Sequence, residues 1–599
     1  MSYPTKVAVQ VKDGPAFTEY SNLTVSQFMF AHHTFSLDIS FEDLGKALGI
    51  SPETVHTQAH QKLVGKNITI SWQATLPVGP ASTFNFRGIL TEASIRSNTD
   101  LSNYYHLSGY SPTVLLEDGL QNRSFRQKTL QAIFQQVLTP YPSDAPPHEL
   151  QTKQQQTLPY VVQYQESNYQ FLSRLAASQG EWLLYDGLTL RLGPLPQQTA
   201  TRFQTNGVQN FALNMRLQPL RTEGGAYNYR THEPLHSTAA PPTAGHPYNQ
   251  LVVKQSQQVF TQPQRPMATT RLADQSQLQQ NLDTRAAQQA GSLVTLQGNG
   301  EVCDLAPGHL LDVYDAPGAS YGQFRVLAVR HELDGDGNYT NHFEALPAAL
   351  DKSPAQPASA PLAQPELAEV LDVADPRRLG RIRVRFQWPV AQPADAESGW
   401  VRVSTPYSGD GKGQLFTPEV GSQVLVGYQQ GLAEFPVVLG NLFHPKNKQE
   451  AKYTNPQNNL KGMQTAGGNK FVMSDAKDDQ KITISNSNNK DTAIEVSFKG
   501  DGSVSIKSKG PISLTAGGNI TLTATKDITL TAENINLKAT KKIDKSAKEI
   551  ALTGTDKVDL NGKATTIQAG NTMKIGATSS LEVNGGSHAS ISSGKTKIH

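Results

Sequence analysis

The sequence has almost no cysteine, since Cys303 is the only one in 599 residues. This scarcity excludes a framework of intrachain disulfides and a zinc site built from several thiolates. Rigidity must therefore come from packing or from assembly. The sequence also has no excess of one charge, because 53 Lys and Arg residues face 51 Asp and Glu residues. This balance does not favour a general binder of nucleic acid or of a membrane surface.

Long apolar runs are absent as well. Residues 1–14 (MSYPTKVAVQVKDG) lack the apolar segment of a secretory signal, and no stretch of 18 apolar residues occurs anywhere. We therefore expect a chain that is made soluble in the cytoplasm. If it leaves the cell, we expect a route that reads no signal peptide.

The C-terminal segment 481–599 lacks the residues of an ordinary core. It has no Trp or Tyr, one Phe (Phe498) and one Pro (Pro511), and it is rich in Thr, Ser, Lys, Gly and Ala. It contains instead a recurring doublet, apolar-x-apolar, whose first positions are 504, 512, 520, 528, 535, 543, 550, 558, 565, 573, 581, 589 and 596. A step that is always seven or eight is typical of a solenoid.

Nine complete doublets are predicted to form the core of this solenoid. They are Val504 and Ile506, Ile512 and Leu514, Ile520 and Leu522, Ile528 and Leu530, Ile535 and Leu537, Ile550 and Leu552, Val558 and Leu560, Met573 and Ile575, and Leu581 and Val583. Ala589 and Ile591 follow, and imperfect members stand at Ile543, at Thr565 and Ile567, and at Thr596 and Ile598.

Two inward side chains spaced by two residues are the pattern of a β-strand, with AGGN, TKD and NGK as corners. One doublet per corner gives a single chain only a thin core. Three chains wound together bring three doublets to one axis at every level. We therefore predict a homotrimeric, intertwined β-prism, about 60 Å or more in length for strands stacked about 4.8 Å apart.

The part before residue 481 mixes short strands with a few helices. Residues 1–350 alternate strand-like runs with helical patches, which predicts an α+β body. Around residues 164–175 the apolar spacing predicts a short amphipathic helix, with Ser167 as its N-cap. The Pro- and Ala-rich composition of residues 351–366 predicts an extended linker.

A compact module of four or five short strands follows the linker, and its size favours an OB-fold barrel. The predicted organisation is therefore mainly β: body 1–350, linker 351–366, barrel 367–446, neck 447–480 and needle 481–599. An OB-fold that binds single strands is an alternative for the barrel, whose candidate contacts are Arg377, Arg378, Arg381, Arg383, Arg385 and Arg402. A structural barrel that joins two larger parts explains the same residues.

Several segments resemble one known family, the VgrG-type spike proteins of type VI secretion and their relatives in phage-like contractile particles. The segments are YQESNYQFLSRLAASQGEW (164–182), LRTEGGAYNYR (220–230), HELDGDGNYTNHFEALP (331–347), GRIRVRFQWP (380–389) and WVRVSTPYSGDGKGQLFTPEVGSQVLVGY (400–428). GEVCDLAPGH (300–309) and PVVLGNLFHPKN (436–447) are similar as well. The resemblance covers residues 150–599 and is weaker before them.

The resemblance implies a phage hub-like body attached to the inner tube and the baseplate, an OB-fold collar and a trimeric needle. Such a spike caps the tube, nucleates the baseplate and punctures a target envelope, touching the target membrane transiently and becoming extracellular on firing. Family members are often capped by a conical tip protein and carry effectors. Because this chain ends at His599, inside the last repeat, we expect non-covalent effector cargo. We expect neither enzymatic activity nor a cofactor, and no nucleic-acid partner.

Alternatives remain open at this point. The same architecture fits a phage tail hub or needle, and the sequence does not choose between a type VI apparatus, an extracellular injection particle and a phage. A β-helical tailspike that cleaves carbohydrate would need paired carboxylates and aromatics that stack on sugars, and the needle has only Phe498. His588 and His599 lie near the end of the repeat, where a trimer would present three copies that could chelate an axial metal.

Two motifs imitate metal sites. HEPLH (232–236) has the spacing of a zinc-protease helix, but Pro234 disfavours that helix and predicts a solvated loop. DGDGN (334–338) resembles the start of a calcium loop. Tyr339 and Ala345 stand at the positions that require Gly and Glu, so a hairpin turn is the better interpretation.

Overall fold

The structure is a computed structural model that describes residues 5–51, 53–74, 82–97, 103–142, 145–195, 198–206, 208–242, 245–356, 359–446 and 455–595. The chain forms two compact units, Met1–Gly462 and Met463–His599.

The first unit begins with a region rich in strands. Its elements are β1 (Thr5–Val11), β2 (Ala16–Phe17), β3 (Asn22–Phe28), β4 (Thr34–Ser40), α1 (Phe41–Leu48), α2 (Val55–Leu63), β5 (Asn67–Ala74), β6 (Ser82–Ser97), β7 (Asn103–Tyr110), β8 (Gln121–Thr129), α3 (Leu130–Leu138), β9 (His148–Leu150), β10 (Thr157–Glu166), α4 (Asn168–Gln179), β11 (Leu183–Tyr185) and β12 (Leu190–Leu192).

The rest of the first unit and the start of the second are also mostly strands. These are β13 (Thr201–Gln204), β14 (Asn210–Met215), β15 (Glu223–Asn228), β16 (Glu233–Thr238), α5 (Pro247–Val259), α6 (Gln275–Gly291), β17 (Val294–Gly300), β18 (Leu310–Tyr314), β19 (Ser320–Asp334), β20 (Tyr339–Pro347), β21 (Glu366–Asp372), β22 (Arg383–Phe386), β23 (Arg402–Val403), β24 (Ser408–Gly409), β25 (Lys412–Gly413), β26 (Gln423–Tyr428), β27 (Pro436–Leu442), β28 (Leu460–Gln464), β29 (Asn469–Ser474), β30 (Lys481–Asn486), β31 (Asn489–Ser497) and β32 (Ser503–Lys507).

One sheet of 13 strands organises the hub body. Its main order is β14-β17-β20-β19-β3-β4-β7-β6-β5-β1-β2, while β18 pairs with β19 and β13 pairs with β18. Antiparallel pairing of β3 with β19 places Val25 opposite His331 and so joins the two halves of the body. Strand β4 (TFSLDIS) alternates in the manner of a half-buried strand, and Phe35, Leu37 and Ile39 lie in the core.

A smaller α/β region lies between the two halves of this sheet in sequence. Helix α4 confirms the helix predicted around residues 164–175. The Ser167 hydroxyl accepts a hydrogen bond from the Gln170 amide at 3.1 Å, and the Gln170 side chain accepts one from the Ser167 amide at 3.2 Å. This capping box fixes the start of the helix, and Gly180, at φ 69°, ends it.

The segment between body and barrel has no helix or strand at its described residues 351–356 and 359–365. A five-stranded sheet of order β22-β21-β26-β27-β23 then forms the barrel. The inward residues of its strands make a separate core of Val370, Val384, Val424, Val426 and Val438. The sheet is mixed, because β23 pairs with β27 in the parallel sense.

A sheet of order β28-β29-β30-β31-β32 opens the second unit, with β28 crossing its boundary at Met463 and β29 to β32 pairing in the antiparallel sense. These strands occupy residues 460–507, and β32 contains the first predicted doublet, Val504 and Ile506. Among the described residues after Lys507, which reach residue 595, none belongs to a helix or a strand. The strands predicted for the repeat are therefore not formed within one chain. In the predicted prism their hydrogen-bond partners would belong to neighbouring chains.

Candidate assembly interface

One face of the sheet β28–β32 is apolar along two rows. Phe471, Ile484, Ile494 and Ile506 are consecutive cross-strand partners, and Met473, Ile482, Val496 and Val504 form the adjacent row. Residues two apart on a strand share a face, so the two rows lie side by side. Ile484 is 49% exposed and Ile506 58%. The single chain therefore leaves this apolar face largely uncovered.

The repeat that follows has the regularity that the sequence predicts. A backbone bend lies five positions after the first position of each unit, from residue 509 to residue 594. The bends thus advance in step with the doublets. Lys542 and Asp544 form an ion pair across Ile543, and Lys557 and Asp559 form one at 2.7 Å across Val558. The charged side chains that flank an apolar residue therefore share one side of the chain.

The predicted trimer-core residues are not buried within their own chain. Each is 44% to 74% exposed, the least being Met573 and the most Leu514. The residues concerned are Val504, Ile506, Ile512, Leu514, Ile520, Leu522, Ile528, Leu530, Ile535, Leu537, Ile550, Leu552, Val558, Leu560, Met573, Ile575, Leu581 and Val583. The physical reason is that one doublet per unit has no second apolar surface of the same chain to pack against. Burial of these residues in a trimer stays a prediction.

The exposed doublets have a large potential for burial. Full burial of one Leu or Ile stabilises a protein by about 1.5–3 kcal/mol. A contiguous apolar surface of this extent is typical of an interface between chains. The exposed doublets and the apolar face of the sheet β28–β32 together form the candidate assembly interface.

The two predicted tip histidines do not form a described site. His588 is exposed, and His599 lies outside the described residues. Within the described part of the chain, no group of three or more His, Cys, Asp and Glu side chains is spaced to hold a metal ion.

The HEPLH segment forms the end of the turn and the start of the second strand in the hairpin β15–β16, so the predicted loop is wrong. Glu233 begins β16, where it pairs with Asn228, and His236 pairs with Gly225. His232 has a φ of 58° and lies in the turn, where its Nδ1 is 2.6 Å from the Tyr227 hydroxyl. Pro234 is compatible with a two-stranded hairpin because one edge of each strand needs no ladder partner.

The DGDGN segment is the predicted hairpin turn. It joins β19 to β20, and the Asp334 carboxylate accepts hydrogen bonds from the amides of Asp336 and Asn338 at 3.0 and 2.8 Å.

Three of the six candidate arginines of the barrel contact acidic side chains of the same barrel. Arg381 binds Asp375 at 2.6 Å, and both are 3% exposed. Arg383 contacts Glu397 at 2.7 Å and Arg385 contacts it at 3.6 Å. These pairs support the structural role for the barrel rather than a stacking platform for single strands. Arg402 instead lies over the Tyr229 ring, with its guanidinium carbon 4.8 Å from the ring centroid.

Sequence reasoning missed a buried ionic cluster between α4 and the barrel. Arg174 binds Glu166 at 2.6 Å, and its Nη1 lies 3.9 Å from Glu434. All three side chains are nearly buried, and burial raises the pKa of Glu434 to about 7. The spacing of Glu166 and Arg174 across the start of one helix was the available signal, but Glu434 lies far along the chain.

Two family models match the chain. The model described as phage tail baseplate hub (GPD) matches residues 34–337. The model described as type VI secretion system/phage-baseplate injector OB domain matches residues 366–443. These matches confirm the predicted hub-like body and the OB-fold.

Two curated relatives match over about half of the chain. The type VI secretion system spike protein VgrG4b of Pseudomonas aeruginosa is 25% identical over 390 residues, which are 56% of this chain and 46% of the relative. The actin cross-linking toxin VgrG1 of Vibrio cholerae is 25% identical over 336 residues, which are 50% of this chain and 30% of the relative. The chain thus covers less than half of the length of either relative.

A solved structure shares the fold. The lidded Francisella PdpA-VgrG complex matches with a TM-score of 0.56 at 8% identity, covering 84% of this chain and 80% of that one. Within the described part of the chain, no helix combines the length and apolarity needed to span a membrane.

Proposed function

The chain belongs to the family of VgrG-type spike proteins, which is built on the phage tail baseplate hub, and we propose that it is the homotrimeric central spike of a contractile injection system. In this role the hub body caps the inner tube and nucleates the baseplate. The C-terminal repeat forms a needle that punctures the target envelope and delivers effectors. The chain acts mechanically and catalyses no reaction itself.

One observation carries the trimer. The doublets of residues 504–583 are exposed in the single chain although they recur with one fixed period. Three copies would bury them against one another and would satisfy the backbone groups of each level by pairing between chains. A closed β-structure with satisfied backbone bonds can enter lipid without exposing unpaired polar groups.

Partners follow from the same role. We propose contacts of the hub with tube and baseplate proteins, a conical tip protein at the needle end and non-covalent effector cargo. The spike assembles in the cytoplasm and reaches the outside on firing. A phage tail hub with the same architecture is the second candidate, since the hub family that matches residues 34–337 is that of a phage tail baseplate.

Cysteine trapping tests the needle directly, because Cys303 is buried and is the only native cysteine. Leu530→Cys places a thiol at a predicted axial position, and Thr529→Cys is the matched control at the preceding position. Mild oxidation should join two of the three copies of the first variant, seen as a dimer on a non-reducing gel. The control should stay unlinked. Equal linking of both variants would contradict the inward direction of the doublets.

A secretion assay tests the wider role. Leu530→Asp places a charge at the proposed axis and should remove the chain from the culture medium of firing cells, while Thr529→Asp should leave its release unchanged. Release of both variants at the wild-type level would contradict a needle that must assemble before firing.

A further inference from the structure

A cavity of about 370 Å³ lies in the first unit, where the hairpin β15–β16 and residues 267–273 approach the barrel. Aromatic side chains form much of its wall, among them Tyr229, Trp400 and Phe435. Three arginines, Arg230, Arg271 and Arg402, line the same space.

Arg271 is held at one end only. Its Nε donates a hydrogen bond to the Glu434 carbonyl, and its guanidinium lies over the rings of Tyr160 and Phe435, at 5.2 and 5.8 Å from their centroids. Neither terminal nitrogen has an acceptor among the described residues, and neither is sealed from solvent. Arg271 lines the cavity, so its terminal N–H groups are available as one half of a two-pronged hydrogen-bond pair.

The positive charge in the cavity lacks a counter-ion. Within the described residues, no carboxylate oxygen lies within 4.0 Å of Arg230, Arg271 or Arg402. The Glu434 carboxyl faces Arg174, and a pKa raised to about 7 removes part of its charge at neutral pH. Burial alone would raise the pKa of the Tyr229 hydroxyl, but the positive charge of the nearby arginines, above all Arg271, lowers it.

These features select the chemistry of a ligand. Half-buried guanidinium groups without a carboxylate partner favour an anion, and a planar fork matches the two oxygens of a carboxylate. Aromatic walls beside the fork favour an apolar neighbour of that carboxylate. We propose that this cavity binds an acidic segment of a partner polypeptide, in which a Glu or Asp side chain meets Arg271 and an adjacent apolar residue contacts Trp400 and Phe435. This inference does not depend on the trimeric needle, since every lining residue lies in the first unit.

The test uses the full chain and two short probes, acetyl-Leu-Glu-Leu-amide and its neutral counterpart acetyl-Leu-Gln-Leu-amide, with binding measured by saturation-transfer NMR. We expect the Glu peptide to bind at least tenfold more tightly than the Gln peptide. Arg271→Gln should abolish this preference, and Arg271→Lys should restore only part of it because the fork is lost. Arg96→Gln, the same change on an exposed strand residue, should have no effect.

Arg402→Gln serves as a second variant, because Arg402 makes a ring contact rather than a buried ion pair and its loss spares the barrel core. It should weaken the Glu peptide several-fold even if Arg271→Gln fails to fold. Equal binding of the two peptides to the wild-type chain would overturn the proposal. It would also be overturned if Arg271→Gln and Arg402→Gln both bound the Glu peptide as tightly as the wild-type chain does. Failure of the full chain to bind either peptide would overturn it as well. Displacement of the Glu peptide by inorganic phosphate or AMP at equal concentration would overturn it too, since the site would then recognise anions without a polypeptide.

Discussion

Glu434 and Arg174 meet inside the first unit although they are distant in sequence, with Glu434 Oε1 3.9 Å from Arg174 Nη1. The contact ties the barrel to helix α4. Glu434 is buried, and burial outweighs the attraction of Arg174 and Arg271, so its pKa rises from 4.5 to about 7. A carboxyl with a raised pKa in the folded state binds its proton more readily there than in the unfolded chain.

The raised pKa of Glu434 makes the folded state less stable as the pH rises. The free energy of unfolding should fall as the pH rises from about 4.5 to about 7, by up to about 3 kcal/mol from this group. Glu434→Gln should flatten this part of the profile and should raise the melting temperature at pH 8. Glu419→Gln, at an exposed position, is the control. A variant that melts lower than wild type at pH 8 would show that the ionised carboxylate stabilises the fold.

The ion pair of Arg381 and Asp375 in the barrel gives a pH dependence of stability with the opposite sign. Arg381 donates to Asp375 through Nη2 at 2.6 Å and through Nε at 3.0 Å, and these bonds hold the pKa of Asp375 far below its ordinary range. Its stabilisation is present above the unfolded pKa and is lost as the pH falls below about 4. Asp375→Asn should cost about 3 kcal/mol at pH 7 and progressively less as the pH falls from about 4 to about 2, measured by urea unfolding at pH 7 and at pH 2. An equal cost at both pH values would contradict the ionic origin of the effect.

The capping box of α4 gives a prediction for stability. Ser167→Ala removes the acceptor of the Gln170 amide and should lower the free energy of unfolding by about 1 kcal/mol. Ser167→Thr keeps a hydroxyl and should recover most of this loss. Thermal unfolding of the three proteins checks the prediction, and a Thr variant as unstable as the Ala variant would assign the loss to packing.

The apolar face of the sheet β28–β32 should matter for assembly rather than for the fold of one chain. Ile494→Asp changes a residue that is 42% exposed between Ile484 and Ile506. We expect a smaller sedimenting species with unchanged circular dichroism of the hub. Asp491→Asn, at an exposed position of the same strand, should leave the mass unchanged. A variant of wild-type mass would exclude this face from the interface.

Local patterns predict the elements whose signals are close in sequence. The Ser167 cap, the turn at Asp334 and the period of the doublets all follow from residues within one turn or one repeat. Pairing of Val25 with His331 does not, because alternation identifies a strand but not its distant neighbour in the sheet. The hairpin at HEPLH escapes the same reasoning because Pro234 disfavours a strand only where its missing amide faces a ladder partner.

The candidate sites divide in the same way. The doublets can be predicted from the sequence because a repeat displays its own period. The cavity around Arg271 could not be predicted from the sequence, since its wall is built from short segments between residues 159 and 436 that only the fold brings together. Arg402, a sequence candidate for contact with single strands, lies in that wall.

The mass of the purified full-length chain in solution tests the central claim most directly. Light scattering over a range of concentrations should give a species of about three times 65.1 kDa that resists dilution. Burial of the doublets between chains predicts this persistence. A stable monomer at every concentration, with the segment after Lys507 open to protease, would contradict the trimeric needle.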